Sequence, residues 1–449
     1  RWQGNLKKYK VIGGEQVGQS SVPALNEDTG HFNENVTSFW STANSKDGDK
    51  VAEGGVADML RTLSSRTLYS DLTVAGNSLV TFNRTNAETA FTDAAGLAAE
   101  LDVTEAEIDD TLNWHAGFDV DDEDDDNSTT DMRYDVFGDP LHSKPLVVNY
   151  GNSIRIVIGT NAGVLHMFED NTTTDVVTET WAFLPKEFLS NIKHLRNNYS
   201  SADKVYGIDG RITSYINDVN GDGIVNGTDE VYIFFGLRRG GSSYYALDIT
   251  SPTSPKFLWK IDSNTPGFGE LGQSWSQPKI AYSGVNVTGK VAKPVLIFGG
   301  GYDAGKDAAG VGGNDSSGRA IYMVDAKTGT LKWSLTPSGG TTDFTGITDS
   351  IPSSIGMLDS DGNGLVDRLY AGDTGGNIWR VDMPDDNPKD ANEPWTVFKL
   401  ASLGGTTNDT DRRFFNEPSI VRTFITETIE TTVTDEDGKT TKITSKQEK

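Results

Sequence analysis

One order of four short apolar segments recurs along the chain, and this repeat constrains the fold more than any other feature. In each copy the second segment carries a Gly at or near its end, and the fourth carries a Trp. The four copies occupy residues 144–148, 154–160, 163–168 and 179–184; 210–216, 230–236, 244–249 and 256–261; 277–282, 294–300, 321–326 and 331–335; and 353–358, 367–372, 377–382 and 395–400. Four short strands per repeat, joined by Gly-rich turns, are typical of the blades of a β-propeller.

The repeat therefore predicts an all-β fold, a β-propeller of six to seven blades with loop and helical insertions. The segment at 322–333 resembles blades of quinoprotein propellers, which implies a quinoprotein-like form of this fold. Four blades come from the full copies, and partial matches at residues 4–11, 77–82 and 417–422 raise the count. The repeat is longer than in most propellers, so we expect the additional residues to lie in loops. A β-sandwich is the alternative all-β fold, but it does not predict a third strand that recurs in one form.

The segments outside the full copies suggest a division of the chain. Thr104 followed by Glu107 forms a capping box, which predicts that a short helix starts there. Asp437-Gly438 is the expected turn if the C-terminal segment forms a hairpin at a sheet edge rather than a mobile tail. The predicted regions are a propeller strand at 1–12, a loop and helix insertion at 13–66, blades over 67–426 with a helical and acidic insertion at 84–132, and a polar tail or edge hairpin at 427–449.

Composition narrows the possible functions. The net charge of −26 argues against nucleic acid as a partner, because phosphate backbones require a cationic surface. The chain has no Cys, which excludes disulfides and thiol chemistry. No run of about 18 apolar residues is present, so no membrane span is predicted. The chain opens at Arg1 without a visible signal peptide, and we expect it to be a fragment or a processed product.

A first candidate metal loop covers residues 359–367, directly before a strand of the fourth copy. Side-chain oxygens come from Asp359, Asp361, Asn363 and Asp367 at positions 1, 3, 5 and 9, and Leu365 offers its carbonyl at position 7. Hard cations such as Ca²⁺ take several oxygen ligands from one short segment. The spacing therefore predicts a calcium site in the loop that precedes this strand.

A second candidate loop covers residues 218–229, before the second strand of the second copy. Its order is close to that of an EF-hand loop, with Asp in place of Glu at position 12. The predicted ligands are Asp218, Asn220, Asp222, Asn226 and Asp229 through their side chains, and Ile224 through its carbonyl. The alternative interpretation is an Asx-turn hairpin with solvated carboxylates.

Other polar clusters are weaker candidates. The acidic run at 119–127 is typical of a solvated loop, and the five His residues show no ligand spacing, so we interpret each as structural. No Ser-His-Asp order, P-loop or nucleophile elbow is present, and we predict that the chain is not an enzyme. The pattern at 322–333 resembles blades of quinoprotein dehydrogenases, in which the Asp and the Trp join neighbouring blades. A periplasmic quinoprotein-like dehydrogenase is therefore the alternative function.

Taken together, the motifs resemble the PilC/PilY family of type IV pilus tip-associated proteins, in their C-terminal propeller. The segments that carry this resemblance are 39–60, 114–126, 137–148, 235–250, 271–280 and 361–380. The resemblance implies a secreted, non-enzymatic protein at the pilus tip or outer-membrane surface, exported through the periplasm. It further implies roles in pilus assembly, adhesion and twitching motility, minor pilins as partners, an unidentified surface receptor, and a family calcium loop at Asp359, Asp361, Asn363 and Asp367.

Overall fold

The chain divides into two compact units, Arg1–Glu417 and Pro418–Lys449. The structure is a computed structural model that describes residues 2–42, 45–198, 204–308, 310–421, 426–434 and 440–448. The first unit contains all of the blade strands given below. No helix among the described residues has both the length and the apolar character needed to cross a bilayer.

The first part of the larger unit combines two short hairpins with four helices. Its elements are β1 (Lys10–Ile12), β2 (Glu15–Val17), α1 (Gly55–Arg61), β3 (Leu68–Ala75), β4 (Ser78–Thr81), α2 (Arg84–Ala90), α3 (Ala94–Leu101) and α4 (Ile108–Ala116). The side chains of Asn83 and Asp93 cap α2 and α3 by accepting backbone N–H bonds. The predicted capping box of Thr104 and Glu107 is confirmed, and it opens the helical turn before α4.

Four blades of four antiparallel strands follow, one for each full copy of the repeat. Blades 3 and 4 lie in separate sheets, whereas blades 1 and 2 belong to one ten-stranded sheet that is joined through β3 and β4. Their elements are β5 (Leu146–Asn149), β6 (Ile154–Thr160), β7 (Val164–Asn171) and β8 (Val176–Phe183) in blade 1; then α5 (Ile192–Asn197); β9 (Ile212–Asn217), β10 (Glu230–Gly236), β11 (Tyr244–Asp248) and β12 (Lys256–Ile261) in blade 2; β13 (Lys279–Thr288), β14 (Val291–Gly299), β15 (Ile321–Asp325) and β16 (Leu331–Thr336) in blade 3, extended by β17 (Thr342–Asp343); and β18 (Gly356–Leu358), β19 (Arg368–Gly372), β20 (Asn377–Asp382) and β21 (Thr396–Ser402) in blade 4. Within each blade, neighbouring strands in the chain are neighbours in the sheet.

Successive blades pack face to face, and β10 shows how the sequence directs this packing. Val231, Ile233 and Phe235 belong to the core shared with blade 1, whereas Tyr232 and Phe234 belong to the core shared with blade 3. Because side chains alternate between the two faces of a strand, a continuous apolar run can fill both cores. A separate apolar core joins blades 3 and 4 in the same way.

The recurring Trp of the fourth strand ties each blade to the next. The indole Nε1 of Trp181 in blade 1 donates to the carbonyl of Pro252 in blade 2 at 2.9 Å. Trp259 of blade 2 repeats this contact with the carbonyl of Ala326 in blade 3 at 3.0 Å. In blade 3, Trp333 packs against Trp395 of blade 4, with ring centroids 5.2 Å apart. The repeated Trp is therefore a packing residue.

The described residues form four blades, which differs from the predicted count of six to seven. The partial match at 77–82 forms no complete further blade, because its β4 belongs to a two-stranded hairpin with β3. That hairpin lies between the outer strands of blades 1 and 2, since β3 runs parallel to the end of β8 and β4 bridges to β12. In the segment 4–11 only its last residues, Lys10 and Val11, are in a strand, and they pair with β2. The sequence pattern of a third strand is local, whereas the strand with which it pairs is decided by residues far away in the chain.

The inserted helices cover part of the propeller. Val56 and Leu60 of α1 pack with Phe137 against Ile156 and Phe168, on the face of blade 1 that points away from blade 2. In the smaller unit, β22 (Thr426–Thr434) and β23 (Thr440–Glu448) form an antiparallel hairpin. The expected turn residues Asp437 and Gly438 lie outside the described residues.

Candidate metal centre

Both candidate metal loops join the first strand of a blade to the second. Residues 218–229 connect β9 to β10, and residues 359–367 connect β18 to β19. The two loops therefore occupy equivalent places in blades 2 and 4, at the same end of the blade strands.

The 359–367 loop gathers three carboxylates. One oxygen from each of Asp359, Asp361 and Asp367 lies within 4.8 Å of the others. The backbone wraps around Asp359, whose carboxylate accepts N–H bonds from Gly362 at 2.7 Å and Gly364 at 2.8 Å. Both glycines have positive φ angles, of 81° and 87°, which residues with a Cβ rarely adopt. The backbone bond from Gly364 lowers the pKa of Asp359, so this carboxylate stays charged.

Only one of the two carboxylate oxygens of Asp367 accepts hydrogen bonds from the loop. Its Oδ2 accepts bonds from the N–H and the hydroxyl of Ser360, at 2.9 and 2.8 Å. Its Oδ1 is buried and has no hydrogen-bond partner among the described residues. A buried oxygen without a donor is costly unless a cation or water satisfies it. The donor set is entirely oxygen, which fits a hard cation such as Ca²⁺.

The remaining predicted ligands of this loop lie at its exposed tip. The Nδ2 of Asn363 donates to Asp361 at 2.9 Å, and its Oδ1 accepts the N–H of Leu365 at 2.7 Å. These bonds hold the Asn363 side chain and the Leu365 backbone beside the carboxylate group.

The 218–229 loop is organised differently. Backbone N–H groups bind Asp218 (from Gly221 and Gly223) and Asp229 (from Val219 and Asn226), at 2.7–2.9 Å. The side chains of Asn220 and Asn226 both donate to Asp222 at 3.0 Å, and Asn226 also donates to the Ile224 carbonyl at 3.1 Å. Within the described part of the chain, the carboxylates of this loop do not converge as those of 359–367 do. The structure thus brings Asn220, Asp222, Ile224 and Asn226 together and holds Asp218 and Asp229 through the backbone.

A further acidic group lies in the run at 119–127, the weaker candidate that the sequence predicts to be a solvated loop. Asp122, Asp124 and Asp126 bring carboxylate oxygens within 4.8 Å of one another. Positive φ angles at Asp122 and Asp125 produce the tight turns that fold the run back on itself. Asp124 and Asp126 are exposed, and exposed carboxylates are commonly solvated, so convergence alone assigns no metal here.

The buried histidines have structural contacts. His166 stacks on Phe168 with ring centroids 5.4 Å apart, and its Nδ1 lies 2.8 Å from Glu179. Glu179 also receives two bonds from Arg66, at 2.6 and 2.8 Å. Burial opposes the charge on Glu179, but the Arg66 guanidinium outweighs it and lowers the pKa of Glu179 to about 2. This group connects the segment after α1 to blade 1, a tie that no local sequence pattern signals.

Comparison with known proteins bears on both the fold and the loops. A family model described as the PilY1 beta-propeller domain matches residues 142–408. The type IV pilus biogenesis factor PilY1 of Pseudomonas aeruginosa strain UCBPP-PA14 is 29% identical over 280 residues, covering 56% of this chain and 21% of that protein. A PilY1 homolog of Xylella fastidiosa strain Temecula1 is 27% identical over 260 residues, covering 56% of this chain and 15% of the homolog.

A solved structure is also similar in sequence. The crystal structure of the Pseudomonas aeruginosa PilY1 C-terminal domain is 27% identical, covers 60% of this chain and 50% of its own, and aligns with a TM-score of 0.39. The region matched in the curated relatives is about a fifth of their length or less. The matched family region contains all four blades and both candidate loops.

Proposed function

Because the chain belongs to the PilY1 β-propeller family, we propose that it is a calcium-binding, non-enzymatic module of a protein that acts in type IV pilus biogenesis. The family assignment and the names of the relatives, which are type IV pilus biogenesis factors, support the pilus part of this proposal. The observation that carries the calcium part is the carboxylate group of the 359–367 loop, with its unpartnered Asp367 oxygen.

Electrostatics favour a cation at this group. Three carboxylates whose oxygens lie within 4.8 Å repel one another, and no Lys or Arg is paired with any of them among the described contacts. Asp359, Asp361 and Asp367, with the side-chain oxygen of Asn363 and the carbonyl of Leu365, would hold Ca²⁺. The ion would neutralise the cluster and fix the start of β19, which packs in the core between blades 3 and 4.

The 218–229 loop is proposed as a second calcium site. Its ligands would be Asp218, Asn220, Asp222, Asn226 and Asp229, with the carbonyl of Ile224. A cation there would fix the start of β10, the strand buried between blades 1 and 3. A ligand that binds only the folded state stabilises it by about 3 kcal/mol when its free concentration is about 100 times Kd.

The place of action follows from the same proposal. A propeller stabilised by extracellular Ca²⁺ would work at the pilus tip or outer-membrane surface, after export through the periplasm. There it would support pilus assembly, adhesion and twitching motility, with minor pilins as partners. The names of the relatives support the pilus association.

The dehydrogenase alternative gains no support from the segment that suggested it. Asp325 accepts bonds from the N–H groups of Lys327 and Thr328, at 3.1 and 2.8 Å, which closes the turn between β15 and β16. The neighbouring Ala326 receives Trp259 of blade 2. The residues of this pattern therefore serve the packing of blades.

Thermal unfolding with and without EDTA tests the calcium proposal. We expect chelation to lower the melting temperature of the wild type, and elemental analysis to find Ca²⁺. Asp367→Asn and Asp222→Asn should each reduce the bound Ca²⁺ and the response to EDTA. Asp386→Asn is the control, since Asp386 is an exposed Asp outside both loops. An unmoved wild-type transition together with no detectable Ca²⁺ would show that neither loop binds the metal.

A further inference from the structure

A cluster of arginine and aromatic side chains lies at the end of the blades opposite the metal loops. It consists of Arg238, Arg239, Trp275, Tyr302 and Phe415, and we call it the arginine–aromatic surface. Its segments follow the second strands of blades 2 and 3, connect blade 2 to blade 3, and follow blade 4. Second strands run away from the metal loops, so the two features occupy opposite ends of the same strands.

The loops that carry this surface are fixed to one another by backbone bonds. Gln273 and Tyr302 exchange N–H bonds at 2.9 and 2.8 Å. The N–H of Leu237 donates to the hydroxyl of Ser274 at 2.7 Å, and the N–H of Ser274 donates to the carbonyl of Gly241 at 3.0 Å. The surface is therefore preformed, and a ligand would not need to order it.

The aromatic rings pack around Trp275. Tyr302 lies 4.6 Å from it between ring centroids, and Phe415 lies 5.7 Å away. The guanidinium groups of Arg238 and Arg239 lie over the same ring at 4.5 and 5.0 Å. Phe415 remains 40% exposed, so its ring offers an apolar contact at the edge of the surface.

The two arginines differ in their hydrogen bonds. Arg239 makes a two-pronged ion pair with Asp307, at 2.7 and 3.2 Å. Among the described residues, the guanidinium of Arg238 has no hydrogen bond, and its buried Nε is unpartnered. The nearest carboxylate oxygen to it, from Asp209, is 3.7 Å from Nε and is already bound by His142 at 2.6 Å.

Arg238 combines an unusual backbone conformation with a partly desolvated side chain. Its backbone has a φ of 52°, a conformation that residues other than Gly rarely adopt. Burial lowers the pKa of Arg238, which shows that the guanidinium has lost water without gaining full compensation. A partly desolvated guanidinium whose N–H donors make no hydrogen bond among the described residues, and whose one neighbouring carboxylate is 3.7 Å away, can receive a planar anion.

We propose that the arginine–aromatic surface binds a carboxylate-bearing peptide segment of a protein partner, with Arg238 receiving the carboxylate and Phe415 contacting a flanking apolar side chain. An Arg guanidinium binds a carboxylate through two parallel N–H bonds, which gives both strength and orientation. Trp, Tyr and Arg are also the residues enriched at the centres of protein interfaces. A peptide fits better than an acidic sugar, because four side chains already lie against Trp275 and leave it little open face for stacking.

Fluorescence anisotropy with the full chain in Ca²⁺ tests the proposal. The probe is a labelled, N-acetylated hexapeptide of alternating Glu and Leu, compared with the same peptide carrying Gln in place of Glu. We expect the Glu peptide to bind and the Gln peptide to bind about 10- to 100-fold more weakly, since charge-assisted hydrogen bonds are lost. Arg238→Gln should weaken binding of the Glu peptide to a similar extent. Arg238→Lys should keep only part of the wild-type affinity, because an ammonium cannot form two parallel N–H bonds to one carboxylate.

Arg319→Gln is the matched control. Its side chain is 24% exposed, as is that of Arg238, but its guanidinium is satisfied by Glu270 at 2.8 Å. This control should bind the Glu peptide as the wild type does. Equal losses for Arg238→Gln and Arg319→Gln would overturn the proposal in favour of general charge attraction. Tighter binding of an oligogalacturonate than of the peptide would overturn the proposal of a peptide ligand in favour of an acidic glycan. No binding of the Glu peptide would refute the proposal that this surface binds a carboxylate-bearing peptide. Unchanged melting temperatures of the variants would establish that they fold.

Discussion

Replacing Glu179 with Gln tests the buried charge group that connects the segment after α1 to blade 1. The side chains of Arg66 and Glu179 are each 1% exposed, and that of His166 is fully buried. Gln has the shape of Glu but no charge, so Glu179→Gln leaves the Arg66 guanidinium buried without its counter-ion. Arg66 keeps its bond to the carbonyl of Ala116 at 2.8 Å, but that neutral acceptor does not compensate the charge.

Two estimates of the cost agree. Breaking a buried ion pair by removing one partner costs about 3–5 kcal/mol. The pKa of Glu179 lies at about 2 in the folded chain, some 2.5 units below its ordinary value of about 4.5, and at about 1.36 kcal/mol per unit this corresponds to roughly 3 kcal/mol. We therefore expect Glu179→Gln to lower the free energy of unfolding by about 3 kcal/mol at pH 7.

The pH dependence gives an independent readout. A carboxylate whose pKa is depressed by folding stabilises the protein above its unfolded pKa, and the contribution is lost as the pH falls towards the folded pKa. For Glu179 the loss spans the range from about pH 4.5 to about pH 2. The wild type should lose stability over this range more steeply than Glu179→Gln, which lacks the titrating group.

Urea unfolding followed by Trp fluorescence, at pH values from 7 to 3, measures both effects. Glu53→Gln is the control, since Glu53 pairs with Lys50 and both side chains are about half exposed, at 46% and 50%. An exposed pair of this kind contributes little to the free energy of unfolding. If Glu179→Gln were as stable as Glu53→Gln, or if its loss of stability in acid matched that of the wild type, the buried pair would not stabilise the fold.

Two further changes test how the blades fit together. Trp259→Phe keeps an aromatic ring against Gly329 but removes the N–H that binds the Ala326 carbonyl. The unsatisfied carbonyl should lower the free energy of unfolding by about 1–3 kcal/mol. Trp2→Phe, at an exposed position, should leave the free energy of unfolding unchanged in the same assay. Gly240→Ala would place a Cβ 1.9 Å from the carbonyl oxygen of Gly207 and should destabilise the fold by about 1–3 kcal/mol. Gly269→Ala is the control, because no atom lies within 4 Å of the Cβ that it would add, and it should leave the stability unchanged. Equal melting temperatures for the two alanine variants would contradict the close approach of Gly240 to Gly207.

The blades could be predicted from the sequence because their signals are local. The predicted second strand at 230–236 and third strand at 377–382 coincide with β10 and β20. Each is an apolar run bounded by turn residues, and its alternation matches the two faces that a blade buries. The family resemblance drawn from the motifs is likewise confirmed by the family model over residues 142–408.

Features that depend on distant partners were missed. The β3–β4 hairpin resembles part of a blade in its sequence, but it adds to the edge of β8, more than 100 residues away in the chain. Arg66 and Glu179 are 113 residues apart, and nothing in either segment indicates that the other will neutralise it. The convergence of Asp122, Asp124 and Asp126 is a local feature, but it depends on left-handed turns within the run, which a block of like charges does not indicate.

The two proposed sites can be separated because of where they lie on the same strand. β10 begins directly after Asp229 of the second candidate loop and ends two residues before Arg238. At about 3.3 Å per residue, the two positions are roughly 25–30 Å apart. Between them β10 is buried on both faces and hydrogen-bonded to β9 and β11 along its length. Because a strand packed and paired over its whole length resists rearrangement, we expect a change in the loop at one end to alter the other end little. Calcium at the 218–229 loop would therefore change how much energy is needed to unfold blade 2, while the geometry around Arg238 would be set by the bonds of Ser274 and Gln273 at the other end.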